Sequence, residues 1–310
     1  MGARIIGWGG SLPEKVLSNA DFKHLDTSDE WIVERTGIRE RRIGGTTSGL
    51  AIDAGRAALA KAGVEGSSVD LLILATTTPD RTLPSTSSWV HHELGLSGGA
   101  FDLNAACAGF AYALVTANAL LAAGHQRILV IGSDTLTGVT DFQDRATAIL
   151  FGDGAAGIVV ERDDAAPDLV IAHDLGVDGS LLPCLFADLG GKIKMDGREV
   201  YRRAVRAEIE SISRVLELSG LSADDIALFV PHQANLRIIE AVNERMGFTM
   251  EKTAIVLDRT GNTSAASIPL ALSDAADNGR LHDGDLVLLS GFGAGMTWAS
   301  TIVRWGDGRS

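Results

Sequence analysis

The chain repeats its own pattern of strands and helices at a spacing of about half its length. A buried-strand pattern that opens at Asp70 returns at Asp225, 155 residues later (225 − 70). A helical segment rich in small residues begins at Cys107, and a similar one begins at Asn262, again 155 residues later (262 − 107). This spacing predicts two copies of one unit that share an interface, rather than two unrelated domains.

Short apolar runs alternate with longer helical patterns along the chain. Buried strands are predicted at Val69–Ala75, Arg127–Gly132, Ile226–Val230 and Asp285–Ser290. Helices are predicted at Thr47–Ala62, Pro84–Leu94, Cys107–Ala122, Arg198–Ser219, Asn235–Met246 and Ser264–Asn278. The alternation indicates an α/β fold with mostly parallel central strands. We therefore expect an N-terminal half over residues 1–160 and a C-terminal half over residues 161–310.

Charge and cysteine content exclude several classes of protein. The 27 basic and 40 acidic residues give a net charge of −13, which disfavours general nucleic-acid binding. An acidic protein partner stays open, because a local basic patch can lie on an acidic body. Two cysteines are too few for a disulfide scaffold, and without an apolar leader we expect a cytoplasmic protein. The apolar segment Ala105–Ala123 consists largely of Ala and Gly, which predicts a core helix rather than a membrane span.

Cys107 lies where a short strand pattern turns into a helix rich in Ala and Gly, in FDLNAACAGF. A thiol at a helix N-terminus feels the positive end of the helix dipole and unpaired N–H groups, which favour the nucleophilic thiolate. The small neighbouring residues leave room for a substrate. Position alone is consistent with either a nucleophile or a buried structural cysteine.

His232 and Asn262 are the other candidates for chemistry. His232 follows the predicted strand Ile226–Val230, where α/β proteins place ligand sites. Asn262 matches Cys107 in the repeat and also begins a helix, so its amide could donate to a developing negative charge. A simple helix cap is the alternative for Asn262.

Two other motifs do not predict cofactor or metal sites. The run Gly291–Gly295, GFGAG, follows a strand, but another strand pattern comes next instead of the helix that a dinucleotide fingerprint requires. A tight turn that offers backbone N–H groups to an oxyanion fits it better. His91, His92 and Glu93 are adjacent and point to different faces of a helix, so we predict no metal site.

Basic residues are concentrated in one segment of this acidic chain. Between Lys192 and Arg214 there are seven basic and four acidic side chains. Such a segment is either a solvated helix face or a docking patch for an anionic partner.

The segments AACAGF around Cys107, PHQANLRI around His232 and GNTSAAS around Asn262 resemble the β-ketoacyl-acyl-carrier-protein synthase III family, which belongs to the thiolase-fold condensing enzymes. Further matches are TSDEWIVERTGIRERR at Thr27–Arg42, DRATAILFGDGAAG at Asp144–Gly157 and GFGAGMTW at Gly291–Trp298. The resemblance implies a thiolase-like five-layer α/β/α/β/α sandwich made of two duplicated halves, and a homodimer.

The resemblance also implies the reaction. Cys107 would take an acyl group from acyl-CoA, which is a substrate rather than a cofactor. Malonyl-acyl-carrier protein would then lose CO₂ and condense with the acyl-enzyme to give 3-oxoacyl-acyl-carrier protein. His232 and Asn262 would stabilise the enolate. The Cys107 amide and one in the turn at Ala294 would form the oxyanion hole, with Phe292 beside the site.

Binding residues follow from the same resemblance. It implies CoA contacts at Trp31, Arg35, Arg145 and Asn235, carrier-protein docking at Arg202, Arg237 and Arg245, and an acyl pocket that includes Leu83. The chain departs from relatives at Glu244, Leu83 and Asn104. Some relatives carry a lysine of the docking patch in place of Glu244, which leaves the details of carrier contact open. Some carry phenylalanine in place of Leu83 and a small apolar residue in place of Asn104, so the primer could be acetyl, short branched or longer.

Fatty-acid initiation is the main functional prediction. The alternative is a priming ketosynthase or acyltransferase of a polyketide or other secondary-metabolite pathway. The complete Cys–His–Asn set disfavours a non-catalytic partner subunit.

Overall fold

The computed structural model describes residues 2–306. Its strands are β1 (Ala3–Ser11), β2 (Val16–Ser18), β3 (Glu40–Arg42), β4 (Leu71–Ala75), β5 (Gly99–Leu103), β6 (Arg127–Thr135), β7 (Asp153–Arg162), β8 (Val170–Val177), β9 (Leu185–Phe186), β10 (Lys194–Met195), β11 (Leu228–Pro231), β12 (Leu286–Gly293) and β13 (Thr297–Arg304). Its α-helices are α1 (Asp29–Thr36), α2 (Thr47–Ala62), α3 (Thr86–Glu93), α4 (Gly109–Ala122), α5 (Arg145–Ala148), α6 (Gly197–Ser219), α7 (Leu236–Met246), α8 (Leu257–Thr260) and α9 (Ser267–Asp277).

Two large sheets share one topology. The first has the strand order β1-β7-β6-β4-β5, and the second has the order β8-β13-β12-β11. In the first sheet β4 is parallel to β6, and β7 is antiparallel to β6 and β1. In the second sheet β11 is parallel to β12, and β13 is antiparallel to β12 and β8. The predicted duplication is therefore confirmed as two copies of one sheet, and β5 is an additional edge strand of the first.

Helices fill the spaces between and outside the sheets. The apolar face of α2 and the side chain of Val90 on α3 pack on the outer face of the first sheet. The nearly all-apolar α4 and the buried α9 lie between the two sheets in the largest core cluster. Apolar residues of α6 and α7 cover the outer face of the second sheet. These layers confirm the α/β/α/β/α prediction. Within residues 2–306, no helix is long and apolar enough to cross a bilayer.

Most predicted helices lie where the sequence placed them. The helix α2 has the predicted bounds, because the Thr46 hydroxyl accepts from the Gly49 N–H at its start and Gly63 takes a left-handed conformation at its end. The expected boundary between residues 160 and 161 falls inside β7. The chain passes from the first sheet to the second between Arg162 and Val170, and the bounds of the halves stay a prediction.

Two helices begin later than predicted because a tight turn precedes each of them. The helix α4 begins at Gly109 instead of Cys107, and α9 begins at Ser267 instead of Ser264. A 3₁₀ turn at Ala106–Ala108, the Cys107 turn, precedes α4. A second 3₁₀ turn at Ser264–Ala266, the Ser264 turn, precedes α9. Each turn opens with a non-glycine residue in the left-handed region, Ala106 at φ 49° and Ser264 at φ 52°. The first residues of the two turns are 158 apart (264 − 106), so an offset of 158 residues aligns one turn with the other.

The spacing of 158 changes the internal pairing that the sequence predicted. It makes Ala265 the counterpart of Cys107 and Asn104 the counterpart of Asn262. The expectation that Asn262 matches Cys107 is therefore wrong. The two asparagines cap the same turn: Asn104 Oδ1 accepts from the Ala106 N–H at 3.1 Å, and Asn262 Oδ1 accepts from the Ser264 N–H at 2.9 Å.

Candidate active site

The Cys107 turn is held against the end of β12 and the start of β13. Thr297 Oγ1 donates to the Ala105 carbonyl at 3.0 Å. A Cβ placed on Gly293 would lie 2.5 Å from the Cys107 nitrogen, so only glycine allows this approach. The glycine-rich motif therefore serves to bring the backbone of the second half up to Cys107.

The Cys107 thiol is not the ready thiolate that its position beside a helix predicted. Burial raises its pKa to about 12, and the Asp134 carboxylate contributes in the same direction. The nearby Ser264 hydroxyl and the backbone N–H of the cysteine lower the pKa, but they do not offset desolvation. The sequence indicated the helix but not the desolvation of the thiol, and Cys107 is therefore a neutral thiol at physiological pH.

His232 is anchored on the other side of β12. Its N–H donates to the Ser290 carbonyl at 2.7 Å, and its Nδ1 lies 2.6 Å from Ser267 Oγ. The Gln233 N–H also donates to that oxygen at 3.3 Å. Among the described residues Nδ1 is the acceptor within reach of the Ser267 hydroxyl, so we assign the hydroxyl hydrogen to Nδ1. The remaining hydrogen of the neutral ring is therefore on Nε2, which makes His232 a hydrogen-bond donor towards the site.

Burial also sets the charge of His232. Desolvation lowers its pKa to about 3, so the imidazole is neutral at physiological pH. The ring packs edge-on against Phe292, with centroids 5.4 Å apart. Phe292 thus lies beside the site, as the sequence predicted.

Asn262 is fixed by its backbone and by one end of its side chain. Its N–H donates to the Leu150 carbonyl, and its carbonyl accepts from the Gly152 N–H, both at 2.9 Å. Because Oδ1 accepts from the Ser264 N–H, the amide orientation is set and Nδ2 is the end that can donate elsewhere. The cap and the donor, which the sequence left as alternatives, are compatible because they use different atoms.

Cys107 and His232 approach one another around the end of β12, and Asn262 is bonded to the Ser264 turn, which meets the Cys107 turn. A Cβ on Gly291 would be 3.3 Å from His232 Cβ and 3.6 Å from the Cys107 carbonyl oxygen. A Cβ on Gly109 would be 3.5 Å from Ala265 Cβ, so the two turns also meet. A thiol and two neutral hydrogen-bond donors therefore converge, which suits acyl transfer through an anionic intermediate.

The internal repeat relates the strands behind the two turns. Leu71 pairs with Ile128 in the first sheet as Leu228 pairs with Val287 in the second, and all four belong to the central core. This register relates β6 to β12 by 159 residues (287 − 128). Gly293 is accordingly the counterpart of Asp134.

The comparison of Asp134 with Gly293 shows a backbone N–H that an anionic oxygen can reach. Asp134 Oδ2 accepts from the Ala265 N–H at 3.1 Å. The Cys107 N–H is the counterpart of the Ala265 N–H. It faces Gly293, which has no side chain to cover it. An anionic oxygen can therefore approach the Cys107 amide as the carboxylate approaches its counterpart.

The residues expected to bind CoA lie together on the surface. The Arg35 guanidinium lies 4.3 Å and that of Arg145 5.2 Å from the Trp31 ring centroid. Asn235 caps α7 through Oδ1, which accepts from the Arg237 N–H, and its Nδ2 donates to the Arg35 carbonyl at 3.0 Å. A partly buried aromatic ring between two cations suits a planar, phosphorylated ligand.

The residues expected to dock a carrier lie on neighbouring helices. Arg202 on α6 pairs with Glu199, and its side chain is 67% exposed. The Arg237 guanidinium on α7 lies 5.9 Å from the centroid of the Tyr201 ring, which joins the two helices. Arg245 is exposed farther along α7, next to Glu244.

The remaining predicted site residues are Leu83 and Ala294. Leu83 is 83% exposed. Ala294 begins the turn after β12, where its carbonyl accepts from Thr297 Oγ1 at 3.2 Å. No group of three or more His, Cys, Asp or Glu side chains within residues 2–306 has the arrangement of a metal site.

Four residues of the site escaped the sequence reasoning. Ser264 and Ser267 lie inside GNTSAAS, and Gly293 lies inside GFGAG, so the motifs contained them without distinguishing their roles. Asp134 follows the predicted strand Arg127–Gly132, and a carboxylate at that edge of a central strand is a usable signal.

Comparisons with known proteins show the family of the chain. Residues 101–179 match the family model described as 3-oxoacyl-[acyl-carrier-protein] synthase III, and residues 216–305 match the model of its C-terminal part. The β-ketoacyl-[acyl-carrier-protein] synthase III of Bradyrhizobium diazoefficiens is 49% identical over 97% of this chain and 98% of its own length. That of Geobacillus kaustophilus is 47% identical over 99% of this chain and 100% of its own.

Solved structures show the same relationship. The crystal structure of 3-oxoacyl-[acyl-carrier-protein] synthase III from Aquifex aeolicus has a TM-score of 0.96 and 43% identity, covering 98% of this chain and 100% of that one. The priming β-ketosynthase of the R1128 polyketide pathway has a TM-score of 0.93 and 36% identity, covering 99% and 97%. Full-length identity, shared fold and both family models together establish that this chain belongs to the β-ketoacyl-acyl-carrier-protein synthase III family of condensing enzymes.

Proposed function

We propose that the protein is an initiating condensing enzyme of fatty-acid biosynthesis. It transfers an acyl group from acyl-CoA to Cys107 and condenses it with malonyl-acyl-carrier protein. The observation that carries the proposal is the meeting of a half-buried thiol, at the end of β12, with His232 Nε2–H and with the turn that Asn262 caps, where Asn262 Nδ2–H is left to donate. The family and its activity support the same reaction.

In the first step Cys107 exchanges one thioester for another. Its sulfur attacks the acyl-CoA carbonyl, a new C–S bond forms, and the bond to the CoA sulfur breaks. The thiol proton leaves with CoA, which departs as a thiol. The uncovered Cys107 N–H, together with an amide in the turn at Ala294, holds the oxyanion of the tetrahedral intermediate.

In the second step the malonyl carboxylate leaves as CO₂, and its bonding electrons form a thioester enolate. His232 and Asn262 donate to the enolate oxygen, and no positive charge is required because both donors are neutral. The enolate carbon attacks the acyl-enzyme carbonyl, and the C–S bond to Cys107 breaks. The cysteine departs as a thiolate, and a proton taken up from solvent restores its thiol. Phe292, packed on His232, presents an apolar surface that disfavours the carboxylate.

A panel of acyl-CoAs tests this reaction. The protein and Cys107→Ser are incubated with acetyl, branched and longer acyl-CoAs, and intact mass reports the adduct. Condensation of each adduct with malonyl-carrier is then scored. We expect an adduct and a 3-oxoacyl product only with the parent protein. An acyl adduct of equal yield on Cys107→Ser overturns the assignment of the nucleophile.

The panel also separates the two candidate pathways. Likeness to a priming β-ketosynthase of a polyketide pathway, and Leu83 where some relatives carry phenylalanine, favour a bulkier primer as the second candidate. Preference for acetyl-CoA supports initiation of fatty-acid synthesis. Exclusive use of a long or unusual primer supports the second candidate.

The binding surfaces form part of the proposal. CoA would lie on Trp31 between Arg35 and Arg145, with Asn235 at the start of α7 bonded to the Arg35 carbonyl. The acidic carrier protein would dock on the exposed arginines of α6 and α7, Arg202, Arg237 and Arg245. The cytoplasmic location stays a prediction.

A homodimer completes the proposal. The strand β5 pairs only with β4 in the first sheet, and its Phe101 is 36% exposed. Trp89 on α3 and Leu83 add exposed apolar surface near the same edge, at 50% and 83% exposure. A second copy pairing along β5 would cover this surface, and light scattering after gel filtration would show a mass of twice 32.5 kDa.

A further inference from the structure

The Asp134 carboxylate connects the two halves of the molecule beneath the active site. It is fully buried on β6. Its Oδ1 accepts from the hydroxyls of Thr76, Thr77 and Thr78 and from the N–H groups of Thr77 and Thr78, at 2.7 to 3.1 Å. Its Oδ2 accepts from the Ala265 N–H at 3.1 Å, in the other half. The position of Ala265 is thus tied to a rigid part of the first sheet.

The Ser264 turn has little freedom around that contact. A Cβ on Gly132, two residues before Asp134, would lie 2.2 Å from the Ala265 carbonyl oxygen, so β6 touches the turn directly. Asn262 Oδ1 holds the Ser264 N–H at 2.9 Å. Both the left-handed conformation of Ser264 and its place against β6 are therefore set by polar contacts.

The Ser264 hydroxyl is buried and, within the described residues, lacks a hydrogen bond of ordinary geometry. It lies beside the Cys107 thiol and lowers the pKa of that thiol. A buried hydroxyl without a partner costs stability and calls for an explanation. A thiolate at Cys107 would supply the missing acceptor, since sulfur accepts far better as an anion.

We propose that Asp134 is a positioning residue for the nucleophile: its carboxylate holds the Ser264 turn so that the Ser264 hydroxyl can donate to the Cys107 sulfur as negative charge develops there. The proposal deepens the function proposed above and rests on Cys107 as the nucleophile. This positioning role favours the thiolate, whereas the direct effect of the Asp134 charge raises the pKa of Cys107 and disfavours it.

The neighbouring titratable groups are few. His232 beyond β12 and Asp134 on β6 lie around the site, and Tyr112 on α4 donates to the Gly176 carbonyl at 2.9 Å. The Ser264 turn and the residues Gly291–Met296 carry no titratable side chain. A change in the thiol titration can therefore be assigned by variants of these residues.

The test follows alkylation of Cys107 by iodoacetamide from pH 6 to 10, with intact mass on the full-length protein and with Cys184→Ser in every variant. Ser264→Ala removes the hydroxyl and is expected to slow alkylation about tenfold, with the pH profile displaced upwards. Asp134→Asn presents an amide N–H₂ or an uncharged oxygen to Ala265, which weakens the contact. It is expected to slow alkylation to a similar degree, although loss of charge alone would accelerate it.

The double variant provides the decisive comparison. If Asp134 acts through Ser264, Ser264→Ala combined with Asp134→Asn is no slower than either single variant. Asp153→Asn is the matched control, because this buried carboxylate on β7 also accepts from backbone and hydroxyl groups but does so at Gly44 and Thr137. It should alkylate at the parent rate.

Three results overturn the proposal: faster alkylation of Asp134→Asn, additive losses in the double variant, or an unchanged rate in Ser264→Ala. The last decides the matter even where Asp134→Asn does not fold. Alkylation needs no acyl-CoA, so its outcome is independent of the acyl-adduct experiment that tests the proposed function.

Discussion

His232 and Cys107 are neutral in the resting protein for the same reason, which is loss of hydration. Burial lowers the pKa of His232 to about 3 and raises that of Cys107 to about 12. A neutral imidazole with its hydrogen on Nε2 donates to an enolate without forming an ion pair with the thiol. The proposed reaction therefore relies on placed donors and not on a permanent thiolate–imidazolium pair.

The neutral imidazole predicts the pH dependence of the decarboxylation step. A depressed pKa means that His232 protonates only near pH 3, well below its ordinary value. At saturating malonyl-carrier, the rate of CO₂ release should show no acidic limb near pH 6.5. Measurement from pH 5 to 8, beside the ¹⁵N shifts of the ring, checks this. An acidic limb near 6.5 that disappears in His232→Gln would contradict it.

Ser267 determines which ring nitrogen carries the hydrogen. Ser267→Ala removes the hydroxyl that donates to Nδ1, so the other tautomer becomes accessible. Decarboxylation should fall about tenfold while acylation of Cys107 is spared. Ser273→Ala is the matched control, since that buried hydroxyl lies on the same helix without a partner within residues 2–306. Equal losses in both partial reactions would argue for general damage instead.

At the scale of elements, the helices with clear termination signals were predicted best. Thr46 and Gly63 bound α2, and a left-handed Gly220 ends α6 at the predicted residue. The edge strand β5 was predicted only as a short strand pattern before Cys107, without bounds, because its residues Gly99–Leu103 are only partly apolar and alternate weakly in burial. A strand whose outer edge is unpaired carries little of the pattern that marks a central one.

The turns before α4 and α9 lay beyond sequence reasoning for a different reason. Left-handed backbone is expected at glycine, and Ala106 and Ser264 adopt it under tertiary constraint. Asp134 was missed likewise, because its role depends on Ala265, 131 residues away. The motifs predicted which residues meet, and only the packed structure shows which atoms are already occupied.

Substitution of Gly293 is predicted to impair the proposed oxyanion hole and nothing else. In Gly293→Ala the new Cβ would lie 2.5 Å from the Cys107 nitrogen and 2.7 Å from Ala106 Cβ. Acylation should therefore fall about 10²-fold or more as the Cys107 amide is covered or displaced. Rates of adduct formation, measured with thermal unfolding, check this. Gly138→Ala has open space around its Cβ and should behave as the parent, and an unimpaired Gly293→Ala would remove the glycine's role.

At the scale of the whole molecule, the net charge of −13 coexists with an arginine-bearing surface on α6 and α7. Several of these arginines pair with acidic residues on their own helix, as Arg202 does with Glu199 and Arg206 with Glu210. Exposed pairs of this kind stabilise the fold little, so their arginines can turn to an incoming carboxylate at low cost. The negative charge of the rest of the molecule repels an acidic partner, whereas the arginines on α6 and α7 attract it. Such a partner would therefore be oriented towards these two helices.

Charge reversal tests that orientation. Arg202→Glu with Arg237→Glu should raise the carrier KM about tenfold and leave acylation from CoA unchanged. The effect should shrink as salt rises, since the contacts are exposed. Arg56→Glu, an exposed residue on α2 at the opposite side of the fold, is the control. A carrier KM that is unchanged in the double variant would remove docking from this surface.

Glu208 predicts how the stability of the molecule varies with pH. It is buried on α6 under the second sheet, and desolvation raises its pKa from 4.5 to about 8 against a hydrogen bond from Ser290. Between those values the folded protein keeps a proton that the unfolded chain has released, so its free energy of unfolding falls as pH rises. Glu208→Gln has no such proton to lose.

The variant should therefore gain stability relative to the parent across that window, by about 1.4 kcal/mol per pH unit and a few kcal/mol in all. Urea unfolding at pH 5 and at pH 8 measures the difference. Glu210→Gln, on the same helix but exposed, should give a difference that does not vary with pH. A parallel shift in both variants would show that Glu208 ionises in the folded protein as it does in water, and a gain that is larger at pH 5 would show that its pKa is lowered; either result contradicts the prediction.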